Sequence, residues 1–175
     1  LTANTAARNT GVGSCVLCTT STGVDNTGVG YNALAANTTA DNNTAVGSTS
    51  LAANTTGYLG CAFGYAALDV NTTGTHNNAF GGSALGACTE GSKNSGFGNN
   101  ALMSLTTGDF NVAVGRNCMN LVTTGDNNVG LGNDAGITGS PGGAVTTGDN
   151  FICLGDENIT EAHIQVDWTI ASDAR

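Results

Sequence analysis

The side chains best able to do chemistry are few and scattered. Cys15 and Cys18 form a Cys-Val-Leu-Cys pair, a spacing shared by zinc sites and redox-active dithiols. A zinc site would need a second such pair, or histidines at matching spacing. Cys61, Cys88, Cys118 and Cys153 each stand alone, and the only histidines, His76 and His163, are far apart in the chain. The cysteines therefore read as small apolar filler, and no metal, redox centre or cofactor is expected. Asp109, Asp126 and Asp149 each follow a glycine, but the glycine-rich nonapeptide that binds calcium in stacked coils does not occur. Stacked aspartates alone would hold a cation weakly, and no enzymatic activity is expected.

Those aspartates and glycines do share a spacing, and it leads to the elements that position them. The glycine closing the segment Asn-Thr-Ala-Val-Gly recurs as Gly13, Gly30, Gly47, Gly64, Gly81, Gly98, Gly115 and Gly132, each 17 residues after the last, and then as Gly155. The last interval is six residues longer, and the excess falls around 137–142, which contains the only proline, Pro141. Immediately before each glycine stands an apolar residue: Val12, Val29, Val46, Phe63, Phe80, Phe97, Val114, Leu131 and Leu154. Four residues after it come Leu17, Leu34, Leu51, Leu68, Leu85, Leu102 and Met119, then Gly136 and Ile159. A second glycine column runs through Gly23, Gly57, Gly74, Gly91, Gly108, Gly125 and Gly148.

Glycine this frequent excludes long helices, while short β-branched stretches bounded by glycine favour strands. The expected architecture is an all-β parallel β-solenoid of nine 17-residue coils over 1–159, followed by a strand, cap or linker at 160–175. Each coil should hold two short strands and two glycine corners, with φ > 0 at the corners. Coils at a spacing of ~4.8 Å would span ~43 Å. The Val12-type and Leu17-type residues would then form two continuous apolar ladders. Stacked Asn9, Asn26, Asn43, Asn77, Asn94, Asn111 and Asn128 would satisfy backbone groups at a corner. The small columns Gly11/Ala45 and Ala33/Ala84 would let chains or strands approach closely.

Composition excludes several partners. The formal net charge is −9, with only Arg8, Lys93, Arg116 and Arg175 as cations, so no basic stripe can follow a phosphate backbone. Nucleic acid is not an expected partner. Neither is a membrane, since no apolar run approaches the ~20 residues that a crossing requires. Residue 1 already lies inside a repeat, with no leader-like segment, so a fragment of a longer polypeptide is expected. Paired threonines such as Thr55-Thr56 point to opposite sides of a strand, which disfavours a flat ice-binding face. Asn37, Asn42, Asn54, Asn71 and Asn158 each begin an Asn-x-Thr sequon and are candidate glycosylation positions, though the first, third and fourth share one crowded column.

The motif Asn-Thr-Ala-Val-Gly-x-x-Ala-Leu followed by Asn-Thr-Thr-Gly is similar to the head repeats of trimeric autotransporter adhesins, and more so to repeats of bacteriophage and algal-virus tail-fibre proteins. That resemblance covers residues 1–159, although the adhesin repeats are usually shorter by about three residues. It implies a left-handed coil, a homotrimer, and an extracellular or virion location. The segment from His163 to Arg175, with Ile170-x-Ser172-Asp173-x-Arg175, resembles the junction to a tail-fibre intramolecular chaperone. There Ser172 would be the nucleophile of a Ser-Lys dyad, but the lysine expected after the arginine is missing, so Ser172 should be inert. The expected function is a structural fibre shaft. Alternatives are an adhesin head contacting host-surface glycans, and a protomer stacking head to tail into filaments.

Overall fold

The structure is a computed structural model that describes residues 8–137, 139 and 143–161. Nine three-residue strands stack in parallel in chain order: β1 (Thr10–Val12), β2 (Thr27–Val29), β3 (Thr44–Val46), β4 (Cys61–Phe63), β5 (Asn78–Phe80), β6 (Ser95–Phe97), β7 (Val112–Val114), β8 (Val129–Leu131) and β9 (Ile152–Leu154). The register steps by 17 residues at every pairing until Val129↔Ile152, where it steps by 23. The amide of Val145 donates to the carbonyl of Gly136, and that of Thr123 to Thr146, so the excess residues fall between Gly136 and Val145. Among the described residues there is no helix. The chain is a β-solenoid with one glycine-closed coil per repeat.

Each coil holds one strand, not the expected two. The remaining residues are turns that cross by main-chain bonds to the next coil, such as Leu51 N–H to Ala67 O at 3.0 Å and Leu85 N–H to Ala101 O at 2.9 Å. The backbone bends by placing side-chain-bearing residues in the left-handed region. In the coil of Gly81 these are His76 (φ 59°), Ser83 (φ 54°) and Leu85 (φ 53°), besides Gly81 itself (φ 143°). Such residues are rare outside glycine because Cβ crowds the following carbonyl. Three per coil, repeated along the rod, give a tight corner that the strand-forming composition does not announce.

The two glycine columns serve different ends. At Gly81 the backbone is left-handed, and a Cβ would lie 2.5 Å from both carbonyl atoms of Gly98. At Gly57 φ is ordinary, and glycine is needed because a Cβ would meet the Gly74 carbonyl oxygen at 2.3 Å. The expectation of φ > 0 at both corners therefore holds only for the first column.

The core is a thin shaft. Leu17, Leu34, Leu51, Leu68, Leu85, Leu102 and Met119 are at most 1% exposed and form one continuous apolar ladder. Against it pack two small columns, Ala45, Ala62, Ala79 and Ala113 from the strands, and Ala33, Ala67, Ala84 and Ala101 from the turns. These small residues line the interior, so of the chains or strands expected to approach closely there, it is the strands and turns of one chain that do so. Size is complementary within the shaft. A Cβ on Gly130 would sit 2.5 Å from Met119 Cγ and 2.6 Å from Cys118 Sγ, and one on Gly28 would sit 2.5 Å from Val16 Cγ1. At Gly28 and Gly130 glycine stands in the strand where the facing residue is larger than alanine.

Candidate functional site

In a three-residue strand the middle side chain and its two neighbours point to opposite sides. The middle residues, Gly28, Ala45, Ala62, Ala79, Gly96, Ala113, Gly130 and Cys153, are buried. Both flanking columns must then face outward. Val12, Val29, Val46, Phe63, Phe80, Phe97, Val114, Leu131 and Leu154 thus do not form a second internal ladder, as the sequence suggested, but an apolar stripe on the surface. Exposure is 59% at Val12, 37% at Phe80 and 47% at Leu154. The companion column, Thr10, Thr27, Thr44, Cys61, Asn78, Ser95, Val112, Val129 and Ile152, runs beside it. None of these eighteen side chains is charged, on a chain of net charge −9.

The middle of the stripe is aromatic. Phe63 and Phe80 stack at 4.9 Å with rings 6° apart, and Phe80 and Phe97 at 5.1 Å with rings 9° apart. The faces of Phe80 are both covered by its neighbours, so its edge is what the surface offers. Stacking on a sugar ring needs an open face, and Phe80 has none. Elsewhere on the surface, Tyr58 meets His76 edge-on at 5.3 Å, Lys93 Nζ sits 4.7 Å above Phe110, and Arg8 pairs with Asp25. That exposed ion pair contributes little to stability. A shallow groove of about 620 Å³ lies on the turns, between Asp69, Val70, Gly86, Ala87 and Met103. Partial burial raises the Asp69 carboxyl above its ordinary range.

Two amide columns occupy the interior. Asn94 Nδ2 donates to Gly108 O at 2.8 Å, while its Oδ1 accepts the main-chain N–H of Asn111 at 2.9 Å. The same pair of bonds is made by Asn26, Asn43, Asn77, Asn111 and Asn128, and Gly60 alone breaks that column between Asn43 and Asn77. The second column is Asn37, Asn54 and Asn71, linked amide to amide at 3.0 and 2.9 Å. It continues as Cys88, Leu105 and Val122, so amide gives way to apolar filling. Asn71 Oδ1, at that junction, has no partner.

This geometry corrects the glycosylation candidates. Asn37, Asn54 and Asn71 are at most 2% exposed, with their Nδ2 groups bonded to Ala40 O, Gly57 O and Gly74 O, so a glycan cannot be attached to the folded coil. Asn42 and Asn158 are exposed. Thr55, Thr72, Thr89 and Thr106 each spend the hydroxyl on a threonine carbonyl of the next coil. Asp109, Asp126 and Asp149 each accept a main-chain N–H from the preceding coil at 2.7 Å. Among the described residues no three His, Cys, Asp or Glu side chains converge as metal ligands would, and no helix is long and apolar enough to cross a membrane.

The cysteines divide. Cys15 and Cys18 are joined by a disulfide, which corrects their reading as small apolar filler. Cys88, Cys118 and Cys153 are buried packing residues; burial pushes the Cys88 thiol up to about 12 and Cys118 to about 11, and raises Cys153. Cys61 is half-buried on the outward face. His163, Trp168 and Ser172 lie outside the described residues.

The fold is that of a β-solenoid repeat protein, which is consistent with a structural or adhesive protein. None of the family models, curated proteins or solved structures compared with the chain matches it.

Proposed function

We propose that this chain is a passive structural segment, the shaft of a viral tail fibre or an extracellular surface fibre, in which copies lie side by side through the outward strand face. The observation that carries the reading is the uncharged apolar stripe of nine rungs. A surface stripe this continuous is a contact waiting for a partner. A partner that fits must present apolar groups every ~4.8 Å over eight steps, about 38 Å, which is the spacing of another coil of the same kind. The coil also gains from it, because a thin core of one leucine and several small residues per repeat buries little surface alone. Three copies around a common axis is the arrangement that the resemblance to adhesin and tail-fibre repeats implies. The buried asparagines and the more exposed threonines and aspartates are engaged in holding coils together, which fits a load-carrying role without catalysis.

Native mass spectrometry and electron microscopy of the chain test this. Trimeric rods that fall apart on Phe80→Asp, with the circular dichroism of the monomer retained, are the expected result. Compact monomers of the native chain at micromolar concentration would overturn it. Head-to-tail growth is the second reading, favoured by one observation: among the described strands β1 and β9 each have a single partner, and an open strand edge is a template for pairing. Concentration-dependent fibrils in the microscope would select it over the discrete rod.

A further inference from the structure

Side-by-side packing of repeats has a built-in ambiguity. If every rung were alike, copies could slide by one rung, about 4.8 Å, and lose only the contacts at the two ends. The stripe is not uniform. Read along the rod it runs Val, Val, Val, Phe, Phe, Phe, Val, Leu, Leu, and the companion column changes from Thr10, Thr27 and Thr44 at one end to Val112, Val129 and Ile152 at the other. We infer that the Phe63–Phe80–Phe97 block is a register key, which aligns copies of this chain in parallel and rung for rung. This rests on the side-by-side association proposed above and adds what sets its alignment.

The argument for parallel alignment is chemical matching. An antiparallel pair centred on Phe80 would also put aromatic against aromatic, but it would face Thr10, Thr27 and Thr44 with Ile152, Val129 and Val112. Hydroxyls would be buried against branched apolar chains, which is unfavourable without a hydrogen-bond partner. Parallel copies around a common axis meet through the Val12-type column alone, valine with valine and ring with ring, and leave the threonine hydroxyls at the rim in water. The argument for the key is volume. Because the three rings stack on one another at 4.9 and 5.1 Å, they form one ridge. A slip by one rung sets a ring against Val46 of a neighbour at one end and against Val114 at the other, leaving a gap where two rings should meet and a clash where two valines should. Val29 and Val46 lie in the same column as the rings, so in-register parallel copies bring each opposite its own kind at the axis, whereas antiparallel copies bring Val29 opposite Leu131.

The test uses the full chain, an azodicarboxamide oxidant, and native mass spectrometry of the same samples. Each cross-link joins two thiol sulfurs, and the two hydrogens released reduce the azo bond to a hydrazine. The double variant Val29→Cys, Cys61→Ser should form a disulfide dimer through position 29 on a non-reducing gel, absent from Cys61→Ser alone. A mixture of that variant with the double variant Val46→Cys, Cys61→Ser reports a one-rung slip, and it should give at least tenfold less of the mixed dimer. Replacing the key by Phe63→Val, Phe80→Val and Phe97→Val in both partners should raise the mixed dimer to the level of the in-register one. If trimers are present but the mixture with its phenylalanines intact already cross-links across rungs as readily as within them, or if the triple variant keeps strict register, the key is overturned while side-by-side association stands. Monomers throughout would instead remove the association itself.

Discussion

The Leu17 and Val12 columns are both apolar, both continuous, and only five residues apart within each coil, yet one is sealed inside and the other lies on the surface. Leu85 is 0% exposed and Phe80, its neighbour in the same coil, 37%. The difference comes from the residue between strand and corner. A strand of three residues has one inward position, and in this shaft that position holds alanine, glycine or, in β9, cysteine, because the leucine ladder from the turns already fills the space. The larger strand residues are left outside by volume, not by polarity. Hydrophobicity alone therefore does not say which apolar column is core; the size of its neighbours does.

Truncating each column at the same level gives the strongest contrast. Leu85→Ala removes a buried branched chain from a shaft that cannot collapse around the gap, and should cost about 2–5 kcal/mol. Phe80→Ala, read on monomer at low concentration, should cost under about 1 kcal/mol, with most of its effect appearing only where copies associate. Urea titrations of the two variants check this, and equal losses would break the comparison. Because Leu85 has φ 53°, Leu85→Gly should be no worse than Leu85→Ala, since glycine relieves about 1–2 kcal/mol of left-handed strain as it removes the same packing.

The repeat length, the parallel stack, the leucine ladder and the amide column were all readable from periodicity. What escaped had no periodic signal of its own. Val46 and Leu51 look alike in the sequence, and three residues of alternation are too few to assign a side without noticing that Ala45 is small. The left-handed turn residues, His76, Ser83 and Leu85, share no side-chain chemistry, since the conformation is imposed by stacking. The sequons at Asn37, Asn54 and Asn71 are a surface motif only if the asparagine is outside, and here the same three residues serve the interior.

Size complementarity inside the shaft makes a smaller and sharper test. Gly130→Ala would drive a methyl into Met119 and Cys118, an overpacking cost of about 1–3 kcal/mol. Combined with Met119→Leu and Cys118→Ala, which restore the leucine and alanine of the other coils, the same methyl should be accommodated. A thermodynamic cycle should then show positive coupling of about 1 kcal/mol or more. Simple additivity would mean that the shaft is not packed as tightly as its distances imply.

The thiols separate inside from outside by reactivity. Cys61 should be alkylated in the native chain within minutes, while Cys88 waits for unfolding. Because the Cys88 thiol titrates at about 12 when folded, against 9.0 ordinarily, the unfolded chain loses that proton first. Stability is then complete below pH 9 and falls as pH rises from there towards 12, by about 1 kcal/mol at pH 10. Cys88→Ala should flatten the alkaline limb of a stability-against-pH profile; an unchanged limb would mean the thiol is not sealed.

The smallest expected effect is a gain. Gly60 stands where every other coil from Asn9 to Asn128 carries the bridging asparagine, so Asn77 receives no side-chain oxygen from the coil before it. Gly60→Asn would supply that Oδ1 for the Asn77 amide and an Nδ2 for the Gly74 carbonyl. It would also remove the conformational freedom of glycine from the unfolded chain. Against this, the new Cβ would lie 3.1 Å from Asn43 Oδ1 and 3.5 Å from Leu51 Cδ1, so the Asn43 amide must yield by a few tenths of an ångström. One more hydrogen-bonded rung is worth about 0.5–1.5 kcal/mol, and the crowding takes back part of it. A rise in melting temperature of a few degrees would mean that the amide column, like the leucine ladder, stabilises each coil through the next; a fall would mean that Asn43 is held too firmly to share the space.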